Sequence, residues 1–190
     1  MQRRELLQHG LQVVSAWVLT ETGWAACESG HSTDPSQEGP FYRAGAPDRT
    51  ALAERGMKGT PLVVSGTVSN DRCEPLRDAV LDVWHANADG AYDNQGFTLR
   101  GKIHTDAKGR YEFATIVPVP YQAGRSVRAA HIHLKVSGAG TPVLTTEIYF
   151  ENDPYAKTDR LWKPSLVMPL REGSNGSRSG RFDFRLRTNS

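Results

Sequence analysis

Cysteine is almost absent from this sequence, whose 190 residues include two, Cys27 and Cys73. Two thiols are too few for a disulfide framework or for a zinc site built from thiolates. A single bridge in an oxidising compartment stays open. Any metal site must therefore draw its ligands from histidine, tyrosine or carboxylate side chains.

An excess of one charge is also missing. The chain has 23 Lys and Arg against 21 Asp and Glu, a net charge of +2, and the cations are spread along it. No basic patch of the kind that binds nucleic acid is present, so nucleic acid is not an expected partner. No segment reaches the roughly 20 consecutive apolar residues of a membrane span, and none is expected.

The N-terminal residues 1–27 differ from the rest of the chain. Arg3 and Arg4 precede a mildly apolar stretch from Leu11 to Thr20, and small residues precede Cys27. This order resembles a twin-arginine export signal with a lipoprotein-type cleavage site at Cys27. It predicts a protein of the cell envelope or periplasm, with a lipid anchor at Cys27. The alternative is an ordinary N-terminal helix on a cytoplasmic protein.

Residues 28–37 are polar and rich in turn formers, which predicts a linker or a surface arm. Residues 38–190 then form one predicted domain, in which short β-rich runs alternate with turn signals and no long amphipathic helix occurs. This spacing predicts an all-β fold, an antiparallel β-sandwich or barrel. The Gly- and Ser-rich residues 171–180 read as a loop. The predicted strands are 62–69, 79–86, 111–116, 130–136, 143–150 and 181–187.

The segment RAAHIHLKV, residues 128–136, places His131 and His133 on the same face of a predicted strand. The apolar side chains of the segment point to the other face, which is the face expected to pack in the core. The two histidine Cα atoms are then about 6.5 to 7 Å apart, so both rings can reach one ion. The pair indicates either a metal site or two histidines on a solvent face.

Two tyrosines stand where a regular core residue is not expected. Tyr92 follows an Asp-Gly turn signal, and Tyr121 follows Pro118 and Pro120, which stiffen the backbone in an extended conformation. Taken singly, each tyrosine is more often a packing residue or a surface aromatic. Their function depends on what lies beside them.

Five segments together resemble the intradiol ring-cleaving dioxygenases, the family of protocatechuate 3,4-dioxygenase and catechol 1,2-dioxygenase. They occur in the family order, from residue 37 to near residue 160. The resemblance implies a β-sandwich that carries a mononuclear non-haem ferric ion, Fe(III). The segments are EGPFYR (38–43), VWHANADGAYD (83–93), LRGKIHTDAKGRYEFATIVPVPY (99–121), RAAHIHLKV (128–136) and LTTEIYFENDPY (144–155).

By this resemblance, the iron ligands are Tyr92, Tyr121, His131 and His133. Ferric iron is a hard acid that favours anionic oxygen, and two tyrosinates offset most of its charge. Tyr121 matches the ligand that the substrate displaces. Arg128 matches a family arginine that stabilises negative charge on the substrate. Catalytic roles are therefore expected for Arg128 and Tyr121.

The resemblance also implies residues that bind the substrate. Gly39, Pro40 and Tyr42 match a segment that lies close to the substrate in the family. Glu147 stands where the family commonly has glutamine. An acid at this position either repels an anionic substrate or hydrogen-bonds Arg128.

The implied activity is cleavage of a catechol ring by O2 to a cis,cis-muconic acid, in an enzyme that is expected to form an oligomer. The chain length is nearer to that of a protocatechuate 3,4-dioxygenase subunit, so protocatechuate is the first candidate substrate. Arg100, Lys102 and Arg125 are candidate partners for its carboxylate. His85 and His104 read as structural residues.

Two other classes stay open from the sequence. One is a non-catalytic, transthyretin-like β-sandwich that binds a partner without metal. The other is a cupin-like enzyme, which would hold ferrous iron with histidine and carboxylate ligands. Colour separates them, because tyrosinate bound to ferric iron absorbs strongly in the visible range.

Overall fold

Residues 29–189 are described by the structure, a computed structural model, and β-strands dominate this range. The strands are β1 (Pro61–Asn70), β2 (Val80–His85), β3 (Arg100–His104), β4 (Arg110–Ile116), β5 (Tyr121–Ala123), β6 (Ser126–Arg128), β7 (His131–Ser137), β8 (Leu144–Phe150), β9 (Val167–Met168), β10 (Leu170–Glu172), β11 (Arg178–Arg181) and β12 (Phe184–Leu186). Short 3-10 helices span Ala156–Thr158, Pro164–Leu166 and Ser174–Gly176.

Two five-stranded sheets form the body of the fold, and β5 pairs with β6 in a separate hairpin. The site sheet has the strand order β3-β2-β7-β8-β9. The opposite sheet has the order β10-β11-β1-β12, and β4 also pairs with β1. Because the longest ladders are antiparallel and one core lies between the sheets, the predicted all-β sandwich is confirmed.

Three strand pairs are parallel, which the sequence did not predict. They join β8 to β9, and β1 to both β11 and β12. Parallel neighbours need a long connection, and residues 151–166 supply one between β8 and β9. Side-chain alternation shows which face of a strand is buried but carries no information on strand direction.

The central strand β7 is buried on both faces, and this positions the site. Ile132, Leu134 and Val136 are fully buried in the core between the sheets, as the alternation predicted. His131 and His133 on the other face are 2% and 1% exposed. They do not lie on a solvent face, because loops outside the site sheet cover them.

Five of the six predicted strands begin and end within one residue of the observed ones, whereas the predicted strand 181–187 is split. The split falls where β1 changes its partner from β11 to β12. Gly66 permits this change, since a Cβ atom there would lie 1.8 Å from the Phe182 carbonyl oxygen. The predicted loop 171–180 contains most of β10 and the start of β11.

The residues before the domain pack along its surface from Ser29 onward. The Gly30 N–H donates to the Asp71 carbonyl (2.8 Å), and the Ser36 N–H donates to the Thr145 carbonyl (2.8 Å). Residues 29–37 therefore lie against both sheets and are called the arm below. The predictions for residues 1–27 lie outside the described residues. Across residues 29–189, no helix has the length and apolarity that spanning a membrane requires.

His85, at the end of β2, makes one hydrogen bond to the opposite sheet and one to its own neighbour in the chain. Its Nε2 lies 2.6 Å from the Thr115 hydroxyl of β4, and its Nδ1 lies 2.8 Å from the Ala86 carbonyl oxygen. Complete burial lowers the pKa of His85 from 6.5 to about 4. His104, in contrast, is exposed and lies 3.1 Å from Asp48.

We predict that His85 makes the folded state less stable as the pH falls. Between pH 6.5 and 4, His85 binds a proton in the unfolded chain but stays neutral in the folded chain. The free energy of unfolding should therefore drop by about 3 kcal/mol more in the wild type than in His85→Gln over this interval. Urea unfolding at several pH values measures this difference. An equal pH dependence in the two proteins would contradict the assignment.

Candidate active site

Two imidazoles of β7 face each other on the site sheet. The Nδ1 of His131 lies 2.6 Å from the Ala129 carbonyl oxygen, which can only accept a hydrogen bond. The proton therefore sits on Nδ1, and the lone pair of His131 Nε2 points away from it. That Nε2 lies 3.1 Å from Nε2 of His133. Trp84 stacks on the His133 ring at 4.9 Å and fixes its plane.

Two loops bring tyrosines to these nitrogens. The hydroxyl of Tyr92 lies 3.4 Å from Nε2 of His131. The Tyr121 ring, at the start of β5, lies 5.4 Å from the Tyr92 ring and 5.6 Å from the His131 ring. The structure thus brings together the four residues that the resemblance named as iron ligands, Tyr92, Tyr121, His131 and His133.

The turn before Tyr92 is built by local hydrogen bonds. The Asn87 side chain accepts from the N–H groups of Asp89 and Ala91, and Gly90 takes a positive φ of 77°. A Cβ atom at Gly90 would lie 3.2 Å from the Tyr121 side chain. The Asp-Gly signal therefore gives both the turn and the close approach of the two tyrosines.

Burial opposes the charged form of all four groups. It lowers the pKa of His131 and His133, so both imidazoles are neutral and their nitrogens can bind a metal. Burial, reinforced by the charge of the other tyrosine, raises the pKa of Tyr92 well above 10, and burial also raises the pKa of Tyr121. A phenolate can form here only beside a strong positive charge, and a bound metal ion supplies one.

The side chains at this point offer a metal ion two combinations of ligands. One is the pair of imidazoles with the hydroxyls of Tyr92 and Tyr121. The other is the pair of imidazoles with Glu147, whose ligand atoms all lie within 4.8 Å of one another. His133 Nδ1 is buried without a hydrogen-bond partner, while Glu147 Oε1 lies 3.4 Å from it.

Both oxygens of Glu147 are already engaged, which separates the two combinations. Oε1 accepts from Arg128 Nη2 at 2.8 Å. Oε2 accepts from the Ser36 hydroxyl at 2.6 Å and from the Tyr149 hydroxyl at 2.7 Å. Glu147 therefore already accepts three hydrogen bonds, with which metal binding would compete.

Arg128 is held by two carboxylates rather than by one. Its Nε donates to Asp159 Oδ2 at 2.9 Å, and its Nη2 donates to Glu147 and also to the Tyr149 hydroxyl. Burial alone would lower the pKa of Arg128, but the charge and hydrogen bond of Glu147, together with Tyr149 and Asp159, outweigh it and raise the pKa. Of the two alternatives for Glu147, a hydrogen bond to Arg128 is therefore present in the structure.

The predicted substrate-binding residues lie at different distances from the histidine pair. Gly39, at a positive φ of 69°, lies against the His133 ring, and a Cβ atom there would be 3.4 Å from Cε1. Pro40 is exposed. Tyr42 donates to Asp82 at 3.0 Å and packs on Trp84, outside the tyrosine pair. The roles of these residues stay predictions.

Phe41 is the residue of this segment that reaches the tyrosines. Its ring stacks on Tyr92 at 4.3 Å and meets Tyr121 edge-on at 6.1 Å. Sequence reasoning missed it, together with Ser36 of the arm, Tyr149 and Asp159. A signal existed for Tyr149, because it follows Glu147 by two positions and so shares a face of β8.

The candidate cations for a substrate carboxylate do not gather at the site. Arg100 is buried, and its Nε and Nη2 both donate to the Asp93 carbonyl oxygen, at 3.0 and 2.9 Å. Lys102 lies on β3, opposite Asp82 of β2. Arg125 is exposed in the turn between β5 and β6. Arg128 is therefore the cation that the structure places beside the predicted ligands.

Comparison with known proteins agrees with the fold and the site. A family model described as Dioxygenase matches residues 37–188. Catechol 1,2-dioxygenase 2 of Acinetobacter lwoffii is 41% identical over 144 residues, which are 64% of this chain and 52% of that protein. Chlorocatechol 1,2-dioxygenase of Pseudomonas sp. (strain P51) is 33% identical over 173 residues, 79% of this chain and 68% of that protein.

Solved structures give the same result. The dioxygenase domain of a dioxygenase carbohydrate-binding protein fusion from Streptomyces sp. SirexAA-E is 41% identical, with a TM-score of 0.78, over 84% of this chain and 100% of that one. The 3-chlorocatechol 1,2-dioxygenase of Rhodococcus opacus 1CP is 30% identical, with a TM-score of 0.80, over 86% and 76%. The matches place this β-sandwich, with its buried histidine pair, among the dioxygenases. This chain belongs to the intradiol ring-cleavage dioxygenase family, which uses non-haem iron.

We predict that the Tyr149 hydroxyl stabilises the folded protein, because it bridges two buried charged groups. Tyr149→Phe should lower the free energy of unfolding by about 2 kcal/mol, the usual contribution of hydrogen bonds to buried charges. Tyr155 is 39% exposed, so Tyr155→Phe should change it by less than about 0.5 kcal/mol. Urea unfolding of the three proteins tests this, and equal losses in the two variants would contradict it.

Proposed function

We propose that this protein is an intradiol dioxygenase that cleaves the ring of a catechol with O2 at non-haem Fe(III) and releases a cis,cis-muconic acid. The observation that carries the proposal is the meeting of two neutral imidazoles with two buried tyrosines at one point of the site sheet. The chain spans about half to two thirds of the curated relatives it matches, so the proposal concerns the chemistry of this domain.

Tyr92, Tyr121, His131 and His133 are the residues that would hold the iron. The choice of a ferric ion follows from the donors, because phenolate oxygens suit a hard, highly charged cation. When bound, the ion would act as a Lewis acid that favours the ionised form of a catechol hydroxyl and makes the ring reactive toward O2. Glu147 and Asp159 lie behind these ligands and hold Arg128.

The chain's own residues prepare the substrate. We propose that the Tyr121 oxygen accepts a proton from the entering catechol as the substrate takes its place, since Tyr121 sits on the short hairpin β5–β6 rather than on the site sheet. Arg128 stabilises negative charge on the ring through its Nη1, which has no hydrogen-bond partner among the described residues. Phe41 and Trp84 exclude water from the ligand side chains.

The two other classes find less support. A transthyretin-like binding module would leave unexplained why two buried imidazoles meet with their Nε2 atoms 3.1 Å apart. A cupin-like ferrous site would take Glu147 as its carboxylate ligand, and Glu147 would then lose hydrogen bonds to Arg128, Ser36 or Tyr149. The match to the dioxygenase family disfavours both.

The proposal predicts a red-brown protein that consumes O2 with catechols. Tyr92→Phe should lose much of the visible absorption, because one of two tyrosinate ligands is removed, and its rate should fall about a hundredfold or more. Absorption spectra, iron content and O2 uptake, with muconate as the scored product, measure this. Tyr155→Phe should keep colour and rate. Zinc in the native preparation, or no uptake with any catechol, would overturn the proposal.

We also propose that the protein is exported through the twin-arginine route, which carries folded proteins with their metal in place. The Arg3-Arg4 pair supports this, because it precedes an apolar stretch and small residues before Cys27, in the order of a twin-arginine signal. Export predicts a shortened chain in the envelope or periplasm, and a lipid anchor at Cys27 would place it in a membrane fraction. Fractionation with N-terminal sequencing tests this. A cytoplasmic protein that still begins at Met1 or Gln2 would contradict it.

A further inference from the structure

The charges around Arg128 do not balance. Arg128 contributes one positive charge, whereas Glu147 and Asp159 contribute two negative charges. The side chains of the two acids are 0% and 1% exposed, and that of Arg128 is 14% exposed. This buried trio therefore carries one net negative charge, and solvent screens it poorly.

Three donors surround the carboxylate of Glu147. The guanidinium of Arg128, the Ser36 hydroxyl and the Tyr149 hydroxyl all donate to it. Tyr149 itself accepts from Arg128 Nη2 at 2.9 Å, so its proton points toward Glu147.

The negative charge lies next to the place where a substrate would bind. Glu147 Oε1 is 3.4 Å from His133 Nδ1 and 3.6 Å from His131 Nε2. The register explains this, because His133 is directly opposite Glu147 on the neighbouring strand. A ring bound at the histidine pair thus lies within several ångströms of this carboxylate.

Among the described residues, the three candidate cations for a ring carboxylate lie elsewhere or are engaged, and Lys135, two positions after His133 on β7, pairs with Glu38. Arg100 is committed to the Asp93 carbonyl, and Arg125 lies at the tip of the hairpin β5–β6. Lys102 lies on the far edge strand β3, opposite Asp82. The single positive charge of Arg128 neutralises only one of the two carboxylates that it contacts, Glu147 and Asp159.

We propose that Glu147 is a specificity-determining residue that selects catechols without an acidic substituent and disfavours those, such as protocatechuate, that carry a ring carboxylate. The inference rests on the proposed function and names the substrate class of the same site. A glutamine in this position would remove the charge, accept from Arg128 through its one oxygen, and donate through its amide group to the Ser36 or Tyr149 hydroxyl. The sequence alone made protocatechuate the first candidate substrate, and the charge of the site reverses that preference.

The test uses Glu147→Gln in the iron-loaded full chain, with Glu172→Gln as the matched control. Glu172 is 83% exposed on β10 and makes the same acid-to-amide change away from the site. The ratio of kcat/KM for protocatechuate to that for catechol should rise about tenfold or more in Glu147→Gln, because one unscreened charge is removed near the ring. The ratio should stay unchanged in Glu172→Gln.

Binding gives a second readout that does not depend on turnover. The dissociation constant of 4-hydroxybenzoate, measured by calorimetry, should fall about tenfold in Glu147→Gln, while that of phenol should change by less than about twofold. Equal changes for both ligands, or none, would overturn the inference while catechol cleavage continued. If no catechol is cleaved by any of the proteins, the proposed function fails, and binding still decides the role of Glu147.

If Glu147→Gln does not fold, measurements on the wild type alone test the role of Glu147. The wild type should favour catechol over protocatechuate in kcat/KM and bind phenol in preference to 4-hydroxybenzoate. Comparable values for the charged and uncharged member of each pair would overturn the inference.

Discussion

Two imidazole nitrogens held 3.1 Å apart are the constraint on which the rest of the site depends. The lone pair of His131 Nε2 is directed into this space, and both nitrogens can bind one cation when His133 carries its proton on Nδ1. The Ala129 carbonyl fixes the tautomer of His131, and stacking on Trp84 fixes the ring of His133. The strand β7 supplies the rest, because its alternation puts both rings on one face and the core on the other.

The surrounding structure completes this pair from distant parts of the chain. Tyr92 and Tyr121 arrive on a turn and on a hairpin, whereas Glu147 and Tyr149 lie on the adjacent strand β8, opposite His133 and His131. The arm adds Ser36, which is 111 positions away from Glu147 in sequence. The site is therefore a product of the whole sandwich, and its buried charges are stabilised by partners from four separate segments.

Much of this could be predicted from the sequence, and the limits have physical causes. Alternation within strands gave the histidine pair and the apolar face of β7, and the resemblance gave both tyrosines and Arg128. The strand β3 was missed because its sequence, RGKIH, is polar and contains Gly101. Asp159 and Ser36 were missed because their contacts join residues far apart in the chain, and no local pattern encodes such packing.

Burial and charge have separate effects at this site. Burial keeps the imidazoles neutral and holds the phenols protonated until a cation is present, and this favours a highly charged metal over a weakly charged one. The acids around Arg128 then set how much further negative charge the site accepts. The exclusion of water that makes the ligands suitable for iron also leaves the excess negative charge around Arg128 poorly screened from a bound substrate.

The most direct measurement is an anomalous difference map at the iron absorption edge, from crystals of the protein isolated with its native metal. The account predicts a single iron peak between Nε2 of His131 and Nε2 of His133, within bonding distance of the Tyr92 and Tyr121 oxygens. An iron peak bound by Glu147 in place of the two tyrosines, or no iron at these residues, would contradict it.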